Sequence, residues 1–386
     1  FYSIRGQAAG RSNNREAASQ TSAALVRFWP GSAKATFVAA FALSESADGD
    51  EAAIDAVIVL YRKTILLDPK DDVAHTNLSL SLIKRGQLDE AIAEARKGVR
   101  IAPNYFLAHS ALALACYHKG DFDAAIPEFR AAIRLNSQDF ESIVNLSLAL
   151  IVKGHHEEAM AWAREGIRLR PDRADGYAGL CAAMVEKGLL AEAETTAIDA
   201  ISRFPRATGL RNTRGLVLMR LRRFEEAIAE FRMELELHKK PKPEMAIIYQ
   251  NLALALQWRN DGDKAIEAFQ AAAKLSGAHG DHFNLANCYS LFGQQDAAIA
   301  SFREVIRLKP DAYLAINGIG LALQKKGLCD DAAAMFCESV RVNPNDAMVH
   351  VHLGALYHGL GRYRESLAEY RTVKELDSGL TEEFQQ

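Results

Sequence analysis

Histidine and cysteine are the residue types through which this chain could bind a metal ion. His350, His352 and His358 lie close together in the sequence. On one helix, residues 350 and 358 would be about 12 Å apart at a rise of roughly 1.5 Å per residue. This spacing does not favour a shared ion. We therefore predict hydrogen bonding by His352 or His358, and no metal or cofactor site.

The cysteines do not form a disulfide framework, because only five occur in 386 residues. Cys329 and Cys337 are eight residues apart, which is too far for a disulfide along one helix. Free cysteines behave as small hydrophobic residues, and this usage is typical of a reducing compartment. We therefore expect a cytoplasmic protein. The five are Cys116, Cys181, Cys288, Cys329 and Cys337.

Motifs for catalysis are missing from the sequence. It contains no G-x-x-x-x-G-K-S/T phosphate loop and no H-E-x-x-H metalloprotease motif. Gly318 and Gly320 have the spacing of a dinucleotide-binding loop, but the third glycine is absent. We predict no catalytic residues and no enzymatic activity.

The composition excludes further classes of protein. Lys and Arg total 46 and Asp and Glu total 49, and the net charge of −3 argues against a strongly basic nucleic-acid-binding protein. The longest apolar stretches are shorter than the ~20 residues of a membrane-spanning helix. The hydrophobic share of 49% and the charged share of 25% are ordinary for a globular protein. We expect no nucleic-acid partner and no membrane partner.

The elements that position these residues follow a repeat of 34 residues. Pro69 and Pro103 are separated by one period, and so are Gly86 and Gly120. A fixed period of this length is typical of repeat architectures. Nine repeats begin at residues 72, 106, 140, 174, 208, 246, 279, 313 and 347.

The pattern within each repeat predicts two helices. Position numbers below count from the first residue of a repeat. The first helix has a large residue at position 7 and a small one at position 8, as in Leu78 and Ser79. A glycine at position 15 permits the left-handed geometry that ends a helix. The second helix has Ala at position 20 and often Phe or Tyr at position 24, and Pro at position 32 blocks its continuation.

This pattern resembles the tetratricopeptide repeat (TPR) family in its period, its large–small pair, its Ala, its aromatic residue and its final Pro. The resemblance implies an all-α fold, a right-handed α-solenoid of antiparallel helix pairs known as the TPR superhelix. Its first helices would line a concave groove. The fifth repeat departs from the pattern, since Arg214 replaces the large apolar residue and Arg222 replaces the turn glycine.

The residues before the first repeat fall into two parts. Residues 1–32 are rich in Ser, Asn, Gly and Arg, and we expect a poorly ordered tail or linker there. Residues 33–71 predict a degenerate first TPR-like unit. Repeats one to five cover residues 72–241. They are followed by an insertion at 242–245, which we interpret as a hinge. Repeats six to nine cover residues 246–380, and a C-terminal tail covers 381–386.

The resemblance implies that positions 2, 5, 9 and 12 face the groove. Positions 9 and 12 are mostly apolar in the early repeats and more polar in the later ones, so we predict an apolar first half and a polar second half. An exposed apolar patch marks an interaction surface; the alternative is packing between adjacent first helices. The groove candidates at these positions are Leu80, Ile83, Leu114, Tyr117, Leu148, Ile151 and Met219.

Asparagine recurs at position 6 of the first helices. A series of asparagines could hold a peptide backbone whatever its sequence, because the amide both donates and accepts hydrogen bonds. This arrangement is similar to the asparagine ladder in the TPR region of protein O-GlcNAc transferases. The candidates are Asn77, Asn145, Asn251 and Asn284, with His352 at the same position of the last repeat.

These observations predict a non-catalytic scaffold or adaptor that binds a peptide or helix of a protein partner in the groove. A carboxylate clamp of the chaperone-adaptor type is not expected, since position 5 has no Lys and position 6 has no Arg. Two alternatives stay open: a TPR arm that targets or regulates a larger enzyme of glycosyltransferase or kinase type, and a self-assembling structural subunit. Uncapped solenoid ends expose apolar surface, so an oligomer formed through the ends also stays open.

Overall fold

The chain is all-α in the computed structural model. Within the described residues it forms 21 α-helices and one short 3-10 helix, and no strand occurs among them. The predicted all-α fold of stacked helix pairs is therefore confirmed. The described residues are 11–45, 47, 50–238 and 242–377.

The helices alternate as first and second members of successive pairs. The helices before the nine repeats are α1 (Arg11–Phe28), α2 (Ala33–Ser44) and α3 (Glu51–Leu67). The first helices of the repeats are α4 (Asp72–Arg85), α6 (Phe106–Lys119), α8 (Phe140–Val152), α10 (Ala174–Glu186), α12 (Leu210–Arg220), α14 (Ala246–Trp258), α16 (His279–Leu291), α18 (Tyr313–Lys325) and α20 (Ala347–Gly359). The second helices are α5 (Leu88–Ile101), α7 (Phe122–Leu135), α9 (His156–Leu169), α11 (Leu190–Arg203), α13 (Phe224–Leu237), α15 (Gly262–Ser276), α17 (Gln295–Leu308), α19 (Cys329–Val342) and α21 (Tyr363–Leu376).

Local capping sets the ends of the helices. The Asp71 side chain accepts a hydrogen bond from the Ala74 N–H at 2.9 Å, which satisfies a donor that the first turn of α4 leaves free. Gly86 ends α4 in the left-handed conformation, with a φ of 81°. Arg222 and Asn260 adopt the same conformation at the corresponding turns of the fifth and sixth repeats. Their side chains make that conformation more strained than it is for glycine.

The aromatic residue at position 24 fills the core of its own repeat. Phe129, Phe231 and Phe336 are fully buried. The small residue at position 8 of the first helix makes room for this ring, since a Cβ added to Gly320 would lie 2.5 Å from Phe336. At this position the packing leaves no space for a methyl group.

The chain divides into two compact units between Thr196 and Ala197, a boundary that falls within helix α11. The first unit contains α1 to α10 and the second unit contains α12 to α21. In the first unit, α2 and α3 form a helix pair over the segment 33–71. Tyr61 of α3 is buried at the aromatic position of that pair.

The segment before the sixth repeat is packed against its neighbours. Residues Pro243–Met245 form the 3-10 helix, and Met245 is buried. Met245 belongs to one core cluster with Phe231 of α13 and Leu252 of α14, so apolar packing continues from the fifth repeat into the sixth. The hinge stays a prediction, and residues 239–241 lie outside the described residues.

The structure corrects the expectation of a poorly ordered tail over residues 1–32, because Arg11–Phe28 form helix α1. Four alanines and the absence of Gly and Pro between residues 11 and 28 favour a helix there, although the polar composition had indicated a tail. Residues 1–10 lie outside the described residues, as do residues 378–386 with the expected C-terminal tail.

Candidate functional site

The first-helix surface of each unit is defined as the exposed and half-buried side chains of the first helices. In the first unit the predicted groove residues contribute to both this surface and the core. The Tyr117 ring centroid lies 5.4 Å from that of Phe122 and 6.5 Å from that of Phe129. Burial raises the pKa of the Tyr117 hydroxyl. The half-buried candidates are Leu80, Ile83, Leu114, Tyr117, Leu148 and Ile151.

Large apolar side chains are more exposed on the first helices of the second unit. On α14, Ile247, Leu254 and Trp258 are 52%, 41% and 65% exposed. On α4, α6, α8 and α10, only Leu107 and Val152 reach comparable exposure. The predicted apolar first half and polar second half concern positions 9 and 12 and stay a prediction. The exposed apolar side chains of the second unit lie mainly at positions 2 and 13.

Ile247, Leu254 and Trp258 form one stripe along α14, called the α14 stripe below. Their separations of seven and four residues place them on one face of a helix with 3.6 residues per turn. The indole ring of Trp258 stacks on Phe224 of α13, with the centroids 6.2 Å apart. Trp258 was not among the predicted site residues because it occupies position 13. The spacing of the three apolar residues was the signal that could have identified it.

The asparagine series does not form an unbroken ladder of free amides. Asn251 is buried and donates from Nδ2 to Oδ1 of Asn212 at 2.9 Å, so part of its hydrogen-bonding capacity is used within the protein. His352 Nδ1 lies 3.1 Å from Oδ1 of Asn317. Burial lowers the pKa of His352, which favours the neutral imidazole. In both pairs, position 6 of one repeat contacts position 5 of the repeat before it.

The remaining asparagine candidates differ in exposure. Asn77 and Asn145 of the first unit are half-buried, whereas Asn284 of the second unit is exposed. Met219, the last apolar candidate, is half-buried and packs against the core cluster that contains Phe231. The structure therefore leaves the amide of Asn284 most open to a partner, and gives Met219 a part in the core.

The charges of the first helices differ between the two units. In the second unit, α12, α14, α16, α18 and α20 contain one acidic residue, Asp281, which is buried and accepts hydrogen bonds from Gln250 and Ser276. The corresponding helices of the first unit carry exposed carboxylates at Glu141, Asp175 and Glu186. The first-helix surface of the second unit thus presents no exposed carboxylate.

A pair formed by a basic residue and a glutamate, not among the predicted site residues, joins the two helices of several repeats. His75 Nδ1 lies 2.7 Å from Oε2 of Glu94, and its Nε2 lies 3.2 Å from the Pro69 carbonyl oxygen. Three further repeats have a basic residue at position 4 and Glu at position 23, and their residues also pair. These pairs are His109 with Glu128, Arg211 with Glu230, and His350 with Glu369.

This pairing gives His350 a structural role within its repeat. The sequence contained a signal for it, since a His or Arg at position 4 recurs with Glu nineteen residues later. Among the described residues, no cluster of three or more His, Cys, Asp or Glu side chains has the geometry to hold a metal ion. None of the described helices is both long and apolar enough to cross a lipid bilayer.

Two solved structures illustrate the similarity in fold. A chain of the APC/C hetero-tetramer Cut9–Hcn1 is similar with a TM-score of 0.52 and 19% identity, over 80% of this chain and 59% of that one. A tetratricopeptide repeat protein from Parabacteroides merdae ATCC 43184 is similar with a TM-score of 0.50 and 15% identity, over 68% of this chain and 93% of that one. At these identities the likeness shows the fold alone.

Sequence comparison identifies the family. A profile of the tetratricopeptide repeat matches residues 76–140, 110–174, 183–242 and 317–380, and a second profile of the same repeat matches residues 282–312. A comparison with curated proteins found no significant match. The profile matches cover more than half of the sequence, and the chain belongs to the tetratricopeptide repeat family.

Proposed function

We propose that this protein is a non-catalytic interaction scaffold that binds a helix or an extended segment of a partner protein on its first-helix surfaces. The α14 stripe is the observation that carries the proposal. Three large apolar side chains on one helix face stay in contact with solvent, although each would be stabilised by burial. Contiguous exposed apolar surface of this kind marks an interaction site.

The first unit offers a second, less exposed surface for the same function. Its half-buried stripe includes Tyr117 and Ile151, and the amides of Asn77 and Asn145 lie on the same first helices. A partner segment would gain less apolar contact there, because neighbouring residues already cover part of each side chain. We therefore place the main binding site on the second unit.

Site-specific photo-crosslinking tests this function. A photoreactive phenylalanine analogue replaces Leu254 in one variant and Glu267 in a control variant, and both are irradiated in native lysate. Leu254 lies on the α14 stripe, whereas Glu267 is an exposed residue of the second helix α15. We expect a defined protein adduct at position 254 and none at 267. The same adducts at both positions, or none at 254, would contradict the proposal.

A second candidate function, self-association, is favoured by the open face of α21. Leu367 occupies position 21 of the last repeat and is 49% exposed, whereas Ile299 and Ile266 at the same position are nearly buried. The Leu367→Lys variant should lower the sedimentation coefficient if two copies meet through this face. A monomeric wild-type protein in sedimentation velocity would exclude this candidate.

A further inference from the structure

We propose that the exposed face of α21 binds an acidic amphipathic helix of a partner protein, which lies where a following repeat would place its first helix. This face is separate from the α14 stripe, so the inference goes beyond the proposed function. The α21 face is defined as Tyr363, Arg364, Leu367, Arg371 and Lys374. All five side chains are exposed, and spacings of three and four residues place them on one side of the helix.

The preceding repeats show what this side of a second helix contacts. Helices α15, α17 and α19 each pack against the first helix of the repeat that follows. At position 21, Ile266 of α15 shares a core cluster with Leu285 of α16 and is nearly buried. At position 28, Ile167 lies 3.0 Å from a Cβ added to Gly176 of the next repeat. Leu367 occupies position 21 of α21 and is 49% exposed, so a surface that packs against a helix elsewhere is open here.

The charge at position 18 is reversed on α21. This position is acidic in seven of the eight preceding repeats, but it is Arg364 in the last one. In four repeats the carboxylate pairs with a Lys at position 14 of the next repeat, as Asp296 does with Lys326. A partner helix in the same place would therefore complement Arg364 with a carboxylate instead of an amine.

Two further positions of the α21 face are basic. Arg371 occupies position 25, where Arg130 of α7 pairs with Glu158 of the next repeat at 2.7 Å. Lys374 occupies position 28, which is apolar in all eight preceding repeats. An occupant of this face thus meets a positive charge at three places around Leu367.

The carboxylates near the face leave these charges uncompensated. None of the three cations forms an ion pair within the described part of the chain. On α21 itself, Glu365 pairs with Arg362 and Glu369 pairs with His350. Glu375 is the remaining acidic residue of α21, and α20, against which α21 packs, contains none. Three unpaired cations against one carboxylate favour an acidic occupant.

A second copy of this chain fits the α21 face less well. In a symmetric contact the same patch would face itself. Six positive charges would then come together around two copies of Leu367, and like charges in contact oppose association. A helix with apolar residues on one side and Asp or Glu beside them complements both the leucine and the cations.

Selection from a random peptide library tests the charge and the place of the occupant. Phage-displayed peptides of about sixteen residues, long enough to span α21 as a helix, are selected on the full chain. Clones that lose binding to the Leu367→Asn variant are sequenced. We expect these clones to have more Asp and Glu than Lys and Arg, with apolar residues at helical spacing. A synthetic peptide of this set should bind the Arg364→Glu/Arg371→Glu variant about tenfold or more weakly, because two attractive contacts become repulsive.

A matched variant separates the α21 face from other basic surface. Arg303 also occupies position 25 and is exposed, but α18 already packs against its helix α17. Arg303→Glu should therefore leave peptide affinity unchanged. A peptide with Lys in place of each Asp and Glu should prefer the Arg364→Glu/Arg371→Glu variant to wild type, which a loss of structure would not produce. Circular dichroism confirms that all variants are folded.

Each outcome decides the inference. Neutral or basic sequences among the clones that depend on Leu367 would overturn it, as would the absence of such clones. A wild-type dimer that Leu367→Lys dissociates would assign the face to a second copy, and binding to phosphatidylserine vesicles without enriched peptides would assign it to a lipid surface. Tighter peptide binding after Glu382→Lys and Glu383→Lys would assign it to the chain's own residues 378–386. Each of these assignments overturns the inference, and the crosslinking at position 254 tests the proposed function separately.

Discussion

The indole ring of Trp258 lies nearly parallel to the phenyl ring of Phe224, with a 5° angle between their planes and 6.2 Å between their centroids. Phe224 is the first residue of α13 and Trp258 is the last residue of α14, so the stack joins the ends of two helices. Trp258 is nevertheless 65% exposed. The stack orients a large apolar side chain whose remaining surface is open to a partner.

The Trp258→Ala substitution should separate binding from stability. We expect the free energy of unfolding to fall by only about 0.5–1.5 kcal/mol, the contribution of an aromatic pair, because most of the indole is already in contact with water. Urea denaturation measures this change. A loss above about 3 kcal/mol, typical of a buried aromatic residue, would show that Trp258 belongs to the core and not to a binding surface.

The Gly320→Ala substitution should destabilise the eighth repeat. The added methyl group would lie 2.5 Å from the ring of Phe336, which is fully buried. We expect a loss of about 1–3 kcal/mol in thermal or urea unfolding from overpacking. Gly280→Ala is the matched control, because a Cβ there meets no atom within 4 Å. Equal effects of the two substitutions would contradict this account of position 8.

The contact between His75 and Glu94 should appear as a coupling energy in a double-mutant cycle. His75→Ala leaves a buried carboxylate without one of its donors, and we expect a loss of about 1–3 kcal/mol. The double variant with Glu94→Ala should lose less than the sum of the single losses. Additive losses, measured by urea unfolding at one pH, would mean that the two side chains do not stabilise each other.

The pH dependence of stability provides a further test at Glu94. Burial raises the pKa of the Glu94 carboxyl, but hydrogen bonds from Lys97 and His75 outweigh burial and hold the pKa below its ordinary value. A depressed folded-state pKa stabilises the protein above the unfolded-state pKa of about 4.3, and this contribution is lost as the pH falls through the folded-state value.

The Glu94→Gln variant should therefore be less stable than wild type at pH 5, and the difference should shrink on acidification. Urea unfolding of both proteins between about pH 5 and pH 3, the range that spans the carboxyl titration, measures it. Because other carboxylates titrate in both proteins, the informative quantity is the difference between the two curves. A difference that does not change with pH would show that the Glu94 pKa is unperturbed by folding.

The fully buried Glu234 should control the start of α12. Its carboxylate accepts hydrogen bonds from the N–H groups of Gly209, at 2.6 Å, and Asn212, at 3.3 Å, and so caps a helix whose preceding glycine offers no side-chain cap. In Glu234→Ala these donors lose their acceptor, and their amide exchange should accelerate relative to that of α18. Unchanged exchange in the first turn of α12 would contradict the capping role.

Much of the fold could be predicted from the sequence, because its signals are local. The left-handed turn at Gly86, the proline after a second helix and the small residue beside an aromatic ring act within one repeat, and each recurs every 34 residues. The candidate site was less predictable. Asn251 matched a groove pattern, yet its partner Asn212 belongs to another repeat, and no local rule indicated that the two amides bond.

The sequence by itself determined the helix pairs and their order, since backbone geometry and apolar periodicity depend on neighbouring residues. Only the tertiary structure decided which apolar side chains face solvent. Tyr117 packs against Phe122 and Phe129, whereas Trp258 has one face on Phe224 and the rest exposed. Solvent exposure depends on the side chains that adjacent helices bring to the same place. For Tyr117 these belong to its own repeat, whereas Phe224 reaches Trp258 only because the fifth and sixth repeats stack.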